Sequence, residues 1–170
     1  MMLQCLYITK ENLSRFTMTA IEKYKEAHRQ NFANKYPLAY ASGKYIDVKL
    51  PAIKKANGLT QFIVNYINWI GYRATRVSSA GRLIDSTEKL DYGVKLKVKK
   101  FIPSTTRRGT ADISSTIRGR SVMWEVKVGK DRPSEHQLAE QQREQLAGGL
   151  YFFVHNPDEF FDQLDSVLNN

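Results

Sequence analysis

The spacing of apolar residues predicts four helices along the chain. The first is a charged surface helix over residues 14–33, which ends by Tyr36–Pro37 because the residue before a proline avoids helical backbone. The other three cover residues 57–70, 134–147 and 156–168. Their limits rest on three predicted caps and one C-terminal glycine, namely Asn57, Ser134, Asn156 and Gly71.

Apolar runs and alternations predict strands between these helices. Residues 72–78 form one strand, and residues 150–154 form another that is apolar enough for the centre of a sheet. Residues 110–117 and 121–128, joined by a turn, predict an antiparallel hairpin. Alternation of Val94, Leu96 and Val98 with lysines indicates a half-buried strand with a basic outer face. A polar connection is predicted over residues 79–92, and a loop with a short strand over residues 40–56.

This order of elements predicts an α/β fold with a mixed central sheet flanked by helices. We expect the main domain over residues 57–170 and an N-terminal extension, made of a helix and a loop, over residues 1–56. A DNA-contacting arm, a dimerisation helix and a lid over the sheet are all open roles for the extension. Trp69 and Trp124 lie on apolar faces and are expected in the core.

Composition narrows the class of protein. One cysteine and three histidines among 170 residues argue against a disulfide framework, a Cys-rich zinc site and an all-His metal site. No apolar run approaches the roughly 18 residues of a transmembrane helix, and the N-terminus lacks the basic region of a signal peptide. We therefore expect a cytoplasmic protein without membrane contact. The 26 Lys and Arg residues outnumber 17 Asp and Glu residues, and the net charge of +9 favours nucleic acid as the partner.

The positive charge is unevenly distributed along the chain. Residues 89–108 contain seven basic residues and one acid, whereas the tail from Pro157 onward contains four acids and no Lys or Arg. This contrast predicts a dipolar surface that meets a polyanion with one face. The alternative is that the lysines only keep exposed strand edges soluble.

The predicted strand over residues 121–128 carries charge on one face only. Glu125 and Lys127 alternate with apolar residues and therefore share that face, and the hairpin brings Asp112 near both. Two close carboxylates repel each other unless a cation lies between them, and oxygen ligands suit Mg²⁺ or Mn²⁺. Lys127 could then orient or deprotonate an attacking water, or stabilise developing charge. The alternative is a cross-strand salt bridge on a solvated sheet face.

The segment Gly109-Thr110-Ala111-Asp112, followed by Glu125-Val126-Lys127, resembles the PD-(D/E)XK nuclease motif. The Lys130-containing stretch, the Ser134-x-x-Gln137 helix start and Gly148-Gly149 are similar to the VRR-NUC branch of that superfamily. The resemblance covers about residues 57–168. It implies a restriction-endonuclease-like core in the order α-β-β-β-α-β, DNA as the substrate and Mg²⁺ or Mn²⁺ as the cofactor. Two departures are Ala111 in place of the usual proline and the absence of an acid on the first core helix, which suggests one metal rather than two.

The resemblance also implies roles for individual residues. Asp112 and Glu125 would ligate the metal together with the Val126 carbonyl, and Lys127 would be the catalytic lysine. Gln137 would lie near the site, although Ser134 and Gln137 can equally be explained as a helix capping box. Gln61 and Gln141 are weaker candidates for the site. For Gln61, the alternative is that it lies on an exposed polar face of its helix.

Basic residues near the motif are candidates for DNA contacts. Arg107 and Arg108 precede the strand of Asp112 and could grip phosphates beside the metal. Further candidates for DNA contacts are Arg76, Lys130 and Arg132. For each of them, the alternative is an ordinary charged residue on the surface.

No recognition-helix pattern or aromatic RNA-binding signature argues for base readout. We therefore expect a structure-selective DNA endonuclease acting on junctions, flaps or branches. An inactive nuclease-fold module that binds DNA, and a structural or assembly protein, are the alternatives. Family analogy leaves a homodimer open, and a compact domain of this size looks like a phage or mobile-element product.

Overall fold

The structure is a computed structural model that describes residues 18–78, 82–89, 95–102 and 106–169. The start of the first predicted helix, at residues 14–17, lies outside these ranges, as do Val94 and parts of the predicted connection at residues 79–81 and 90–92. The described helices are α1 (Ala20–Lys35), α2 (Pro37–Ala41), α3 (Ala56–Trp69), α4 (Glu135–Leu146) and α5 (Pro157–Asn169). The described strands are β1 (Arg73–Arg76), β2 (Arg82–Lys89), β3 (Lys95–Ile102), β4 (Ile113–Ile117), β5 (Arg120–Val126) and β6 (Leu150–Val154).

Four of these strands form a mixed sheet in the order β1-β4-β5-β6. The pairs β1–β4 and β4–β5 are antiparallel, and β5–β6 is parallel. The predicted α/β class with a mixed sheet flanked by helices is therefore confirmed. Within the described ranges, no helix is both long enough and apolar enough to cross a membrane.

Strand β6 lies at an edge of the described sheet, so the prediction that it lies in the centre was wrong. Tyr151 and Val154 are nevertheless buried, because α4 and α5 pack against this strand. An apolar strand signals burial of its faces, and helices can provide that burial as well as a second neighbouring strand can.

Strands β4 and β5 form the predicted hairpin, although both strands are shorter than predicted. Arg118 and Gly119 connect them with φ values of 50° and 80°, the left-handed backbone that a two-residue type I′ turn requires. In the resulting register Ile113 pairs with Trp124. The next position therefore brings Asp112 opposite Glu125, as the prediction that the two lie close together requires.

Strands β2 and β3 pair with each other in a separate two-stranded sheet. The predicted strand around Leu96 is confirmed as β3, and it belongs to this ribbon. The polar connection predicted over residues 79–92 was wrong for residues 82–89, because they form β2. A polar strand without an apolar stripe is hard to predict, because its pairing partner alone stabilises it. The short strand predicted within residues 40–56 is also absent: α2 and a loop occupy this described segment.

Helix α3 begins at Ala56, which precedes the predicted cap residue Asn57. Its N-cap is Lys55, with extended backbone and no side-chain cap, so the prediction that Asn57 caps the helix was wrong. Asn57 lies inside the first turn, where its side-chain oxygen accepts a hydrogen bond from Arg76 at 2.6 Å. The predicted C-terminal glycine is confirmed, since Gly71 has a φ of +90°.

The caps predicted for the last two helices are confirmed. Ser134 caps α4, and the side chain of Asn156 accepts from the Glu159 N–H at 2.9 Å at the start of α5. The buried face of α5 packs on the sheet through Phe160, Phe161, Leu164 and Val167.

The core joins α1, α3 and α5 to the four-stranded sheet. Trp124 is fully buried and Trp69 packs against the core, as predicted. Tyr24, on α1, is also fully buried: its ring stacks on Phe62 with centroids 4.2 Å apart, and its hydroxyl accepts a hydrogen bond from Asn65 at 3.1 Å. Part of the predicted N-terminal extension therefore contributes to the same core as the main domain, while the boundary after residue 56 stays a prediction.

We expect Tyr24→Ala to lower the free energy of unfolding by about 3–5 kcal/mol, because it removes a buried ring and leaves a cavity. Ile21→Ala is the matched control on the same helix, since Ile21 is 38% exposed, and it should change stability by less than about 1 kcal/mol. Urea unfolding followed by circular dichroism measures both values. Equal effects of the two substitutions would contradict the role assigned to α1 in the core.

Candidate active site

The start of β4 positions Asp112 through both its backbone and its side chain. The Asp112 carbonyl accepts a hydrogen bond from the Val77 N–H at 2.8 Å, which continues the pairing of β1 with β4. The side chain turns toward β5, where Oδ2 accepts from the Val126 N–H at 3.1 Å. The carboxylate is thus held beside Glu125 by the hairpin itself.

Glu125 is 5% exposed, and its two carboxylate oxygens have different surroundings. Oε1 accepts a hydrogen bond from the Gln137 amide and lies 3.2 Å from the Lys127 ammonium. Oε2 is buried and has no hydrogen-bond partner among the described residues. Because a buried oxygen without a partner is costly, this atom indicates a ligand that the protein side chains do not provide.

Lys127 directly follows the end of β5 and is as buried as Glu125, and the two side chains form an ion pair. The ammonium also contacts the Asp131 carboxylate at 3.3 Å. The backbone N–H of Lys127 donates to the Val154 carbonyl at 2.8 Å. The alternative of a salt bridge on a solvated sheet face does not fit, since both partners are withdrawn from water.

Gln137 has two functions that the sequence left as alternatives. Its side-chain oxygen accepts from the Ser134 N–H at 2.9 Å, and its own N–H donates to the Ser134 hydroxyl at 3.4 Å, so the capping box is present. The NH₂ end of the same amide donates to Glu125 Oε1. The start of α4 is thereby attached directly to the carboxylate.

Asp112, Glu125 and Gln137 lie at one open cavity of about 280 Å³. Gly109 brings the loop before β4 against the start of α4: its φ is +87°, and a Cβ there would overlap the His136 carbonyl. The remaining walls are formed by the loop 106–110 and the start of α4, at Ser134 and His136.

Two residues at this cavity were missed by the sequence reasoning. His136 lines it, and the Tyr151 hydroxyl donates to the Gly109 carbonyl at 3.1 Å and so supports its rim. Neither carries a motif signal, because each reaches the cavity through the docking of α4 and β6 on the hairpin.

The predicted DNA-contacting residues differ in their relation to the cavity. Arg107 and Arg108 line it and are exposed, and the Arg107 guanidinium lies 3.9 Å from Glu140. Arg76 is bound to Asn57 at the end of β1. Lys130 and Arg132 are exposed in the loop after β5.

The two auxiliary glutamines lie away from the carboxylates. Gln61 is on the exposed face of α3, as its alternative interpretation had it. Gln141 donates to the Tyr151 carbonyl at 3.1 Å, which joins α4 to β6.

Burial and the neighbouring acid perturb the titration of this site. The pKa of Glu125 is raised from 4.5 to about 7: burial is the largest cause, the charge of Asp112 adds to it, and the hydrogen bond and charge of Lys127 oppose it only in part. Burial also raises the pKa of Tyr151, with a smaller contribution from the charges of Glu125 and Asp112. Its hydroxyl therefore remains a hydrogen-bond donor.

Without metal, this carboxyl group should make stability depend on pH. Between pH 4.5 and about 7 the folded state holds a proton that the unfolded state has lost, so the free energy of unfolding falls as pH rises through this window. The expected loss is on the order of 3 kcal/mol. Urea unfolding in EDTA at a series of pH values measures it. The matched variant Glu125→Gln should lack this component, and Asp131→Asn should retain it; a wild-type slope in Glu125→Gln would contradict the assignment.

The donor set at the cavity fits a hard divalent cation. No group of three His, Cys, Asp or Glu side chains that could hold a metal ion is found within the described ranges. The candidate side-chain ligands are Asp112 and Glu125, and the Val126 carbonyl stays a prediction. The partnerless oxygen of Glu125 beside a second carboxylate is the observation that supports a cation. Mg²⁺ commonly binds one or two carboxylates and completes its octahedron with water and phosphate oxygens.

No protein-family model matches the sequence, and no curated protein matches it. Its function is therefore inferred from the residues at this cavity and from their geometry.

Proposed function

We propose that the protein is a metal-dependent DNA endonuclease of the PD-(D/E)XK type. One observation carries the proposal: Glu125 is buried beside Asp112, one of its oxygens has no partner in the described part of the chain, and the other contacts both Lys127 and Gln137. A surface salt bridge would not withdraw Glu125 and Lys127 from water together, since the cost of burying such charges exceeds what an isolated pair returns.

The metal would be Mg²⁺ or Mn²⁺, held by Asp112, Glu125 and the Val126 carbonyl. When bound, such an ion supplies charge stabilisation for a phosphoryl transition state and a water of lowered pKa. The pairing of β4 with β5 fixes the two carboxylates relative to each other before any ligand arrives. This preorganisation favours a site that binds charge over one that merely tolerates it.

Lys127 and Gln137 have separate roles in this proposal. Both contact Glu125 Oε1, so they leave Oε2 directed to the ligand and hold the carboxylate in one orientation. The Lys127 ammonium, 3.2 Å from Glu125 Oε1, acts on the attacking water or on the developing negative charge.

The substrate would enter past the basic rim of the cavity. Arg107 and Arg108 are exposed at that rim and can form charge-assisted hydrogen bonds with phosphates on either side of the cleaved bond. Such contacts read backbone shape and not base sequence. DNA with junctions, flaps or branches is therefore the proposed substrate class.

The proposal also assigns the fold to the restriction-endonuclease-like type. The elements α3, β1, β4, β5, α4 and β6 follow one another in the order α-β-β-β-α-β. The ribbon of β2 and β3 is then an insertion between the first two strands of this core, and α1 is an N-terminal addition.

The test is a panel of branched, flapped and linear DNA substrates incubated with Mg²⁺, Mn²⁺, Ca²⁺ or EDTA. We expect cleavage with Mg²⁺ or Mn²⁺, none with EDTA, and faster cleavage of the branched or flapped substrates. Cleavage in EDTA, or cleavage that survives Glu125→Gln in full, would refute the proposal.

A second candidate is a DNA-binding module that does not cut. It is favoured by one observation: among the described residues that line the cavity, two are carboxylates, Asp112 and Glu125. This candidate predicts salt-dependent DNA binding without metal affinity. Calorimetric titration with Mn²⁺ decides between the two, because binding that is lost in Glu125→Gln excludes the second.

A further inference from the structure

Four aromatic rings cluster on the surface at the end of α1, in α2 and in the following loop. We call Phe32, Tyr36, Tyr40 and Tyr45 the aromatic patch. The centroid of Phe32 lies 5.3 Å from that of Tyr36 and 5.5 Å from that of Tyr45, and the Tyr40 and Tyr45 centroids are 6.1 Å apart. Tyr36 is 48% exposed and Tyr40 is 39% exposed. The rings therefore pack on one another and still present surface to solvent.

Two cations lie directly against this patch. The Lys35 ammonium is 5.3 Å from the Tyr36 ring centroid, and the Arg29 guanidinium is 5.7 Å from that of Tyr45. Cations at such distances are attracted to the ring face. Aromatic and positive surface therefore alternate within a single area.

The surrounding chain is strongly basic. Residues 18–55 contain eight Lys and Arg residues and three acids. The net charge of this segment, eight minus three, is more than half of the +9 of the whole chain. Asp47 pairs with Lys25 at 2.8 Å. Lys35, Lys44 and Lys49 form no ion pair in the part of the chain that the structure describes. Lys35, over the Tyr36 ring, and Lys44, next to Tyr45 in the chain, therefore have no carboxylate partner among the described residues and can bind an anion.

We propose that the aromatic patch and its lysines bind a single-stranded segment of nucleic acid. Unpaired bases have flat faces that stack on tyrosines, and their phosphates pair with lysines, which is the combination found in proteins that bind single strands. A duplex hides its base faces and cannot use the rings in this way. The inference rests on the proposed function for the identity of the strand as DNA, and it makes DNA with an unpaired tail or flap the substrate class.

The location of the patch is consistent with a substrate that continues to the cavity. His28, next to the patch, packs on Trp69 at the end of α3, with centroids 4.8 Å apart. The start of α3 is bonded through Asn57 to Arg76, whose neighbour Val77 pairs with Asp112. The 14 residues of α3 span about 21 Å. The binding sites of single-strand binders, about 4–16 nucleotides, cover such a separation.

Fluorescence anisotropy in EDTA tests the proposal without cleavage. The probes are a labelled oligothymidine of about 20 nucleotides, longer than the largest single-strand sites, and a duplex of equal length. Tyr40→Ala should weaken oligothymidine binding about tenfold and duplex binding less than about twofold. Lys35→Gln should reduce the slope of log K against log salt by about 0.7 for the single strand.

Two variants control for damage to the fold. Leu38→Ala removes an 86% exposed side chain from the same segment but no ring, and it should change affinity less than about twofold. Tyr40→Trp keeps a stacking surface and should retain single-strand binding. Circular dichroism and thermal unfolding verify that each variant is folded.

The two proposals fail in different ways. If folded Tyr36→Ala/Tyr40→Ala binds oligothymidine like the wild type, or loses duplex affinity equally, this inference is overturned whether or not DNA is cut. If the wild type cuts nothing and the patch variants still lose single-strand affinity selectively, the endonuclease fails and the single-strand surface stands.

Discussion

Asp112→Asn is expected to reduce metal-dependent DNA cleavage by about a thousandfold or more, which corresponds to about 4 kcal/mol of transition-state stabilisation. The substitution removes a charge but keeps an oxygen that can accept the Val126 N–H, so the hairpin should be undisturbed. Without the negative charge of Asp112, the pKa of Glu125 should fall toward its usual value.

Single-turnover cleavage and Mn²⁺ calorimetry measure this effect. The matched control is Asp131→Asn, which makes the same chemical change at another carboxylate. Asp131 is 57% exposed and forms an ion pair with Lys127. It should retain cleavage within about tenfold, as expected for loss of an exposed pair. Equal losses in the two variants would mean that the negative charge around Lys127, and not a ligand position at Asp112, matters for cleavage.

Lys127→Met should lower the cleavage rate by about 10²–10⁴-fold, the range for removal of a positioned proton-transfer or charge-stabilising group. Its loss also removes the group that lowers the pKa of Glu125, so this pKa should rise above about 7. Cleavage by the variant should therefore show a pH profile displaced to higher pH.

The pH displacement separates two explanations of the Lys127 effect. If the lysine acts only by keeping Glu125 ionised, raising the pH restores the wild-type rate. If it takes part in the reaction, a deficit remains at high pH although Mn²⁺ binding has recovered. Lys130→Met, at an exposed lysine three residues further on, is the control and should leave the profile unchanged. Full recovery at high pH would remove Lys127 from the proposed mechanism.

Local patterns were sufficient to predict the hairpin and the positions of its charged residues. Alternation in residues 121–128 puts Glu125 and Lys127 on one face, and the left-handed turn at Arg118 and Gly119 sets the register that brings in Asp112. These are short-range features, and period two leaves little freedom once the turn is known. The candidate site was predictable to that extent.

Features that depend on packing between distant elements were not predictable. Tyr24 looks like one residue of a charged surface helix, yet it is buried against Phe62, 38 positions later in the chain. His136 and Tyr151 reach the cavity only after α4 and β6 have docked. Strand β2 has no apolar stripe to reveal it, and it pairs with β3 outside the core sheet.

Gln137 restricts which sequences this site can accept. A capping box is made equally well by glutamine or glutamate, so the helix alone would not distinguish the two. The carboxylate of Glu125 does, because only the amide offers it an N–H. Glutamate at 137 would keep α4 intact but would add a third negative charge beside Asp112 and Glu125. Repulsion among the three carboxylates would then destabilise the folded protein when no cation is bound at the proposed site. The nitrogen atom of the Gln137 amide thus keeps the number of negative charges beside the proposed cation site at two.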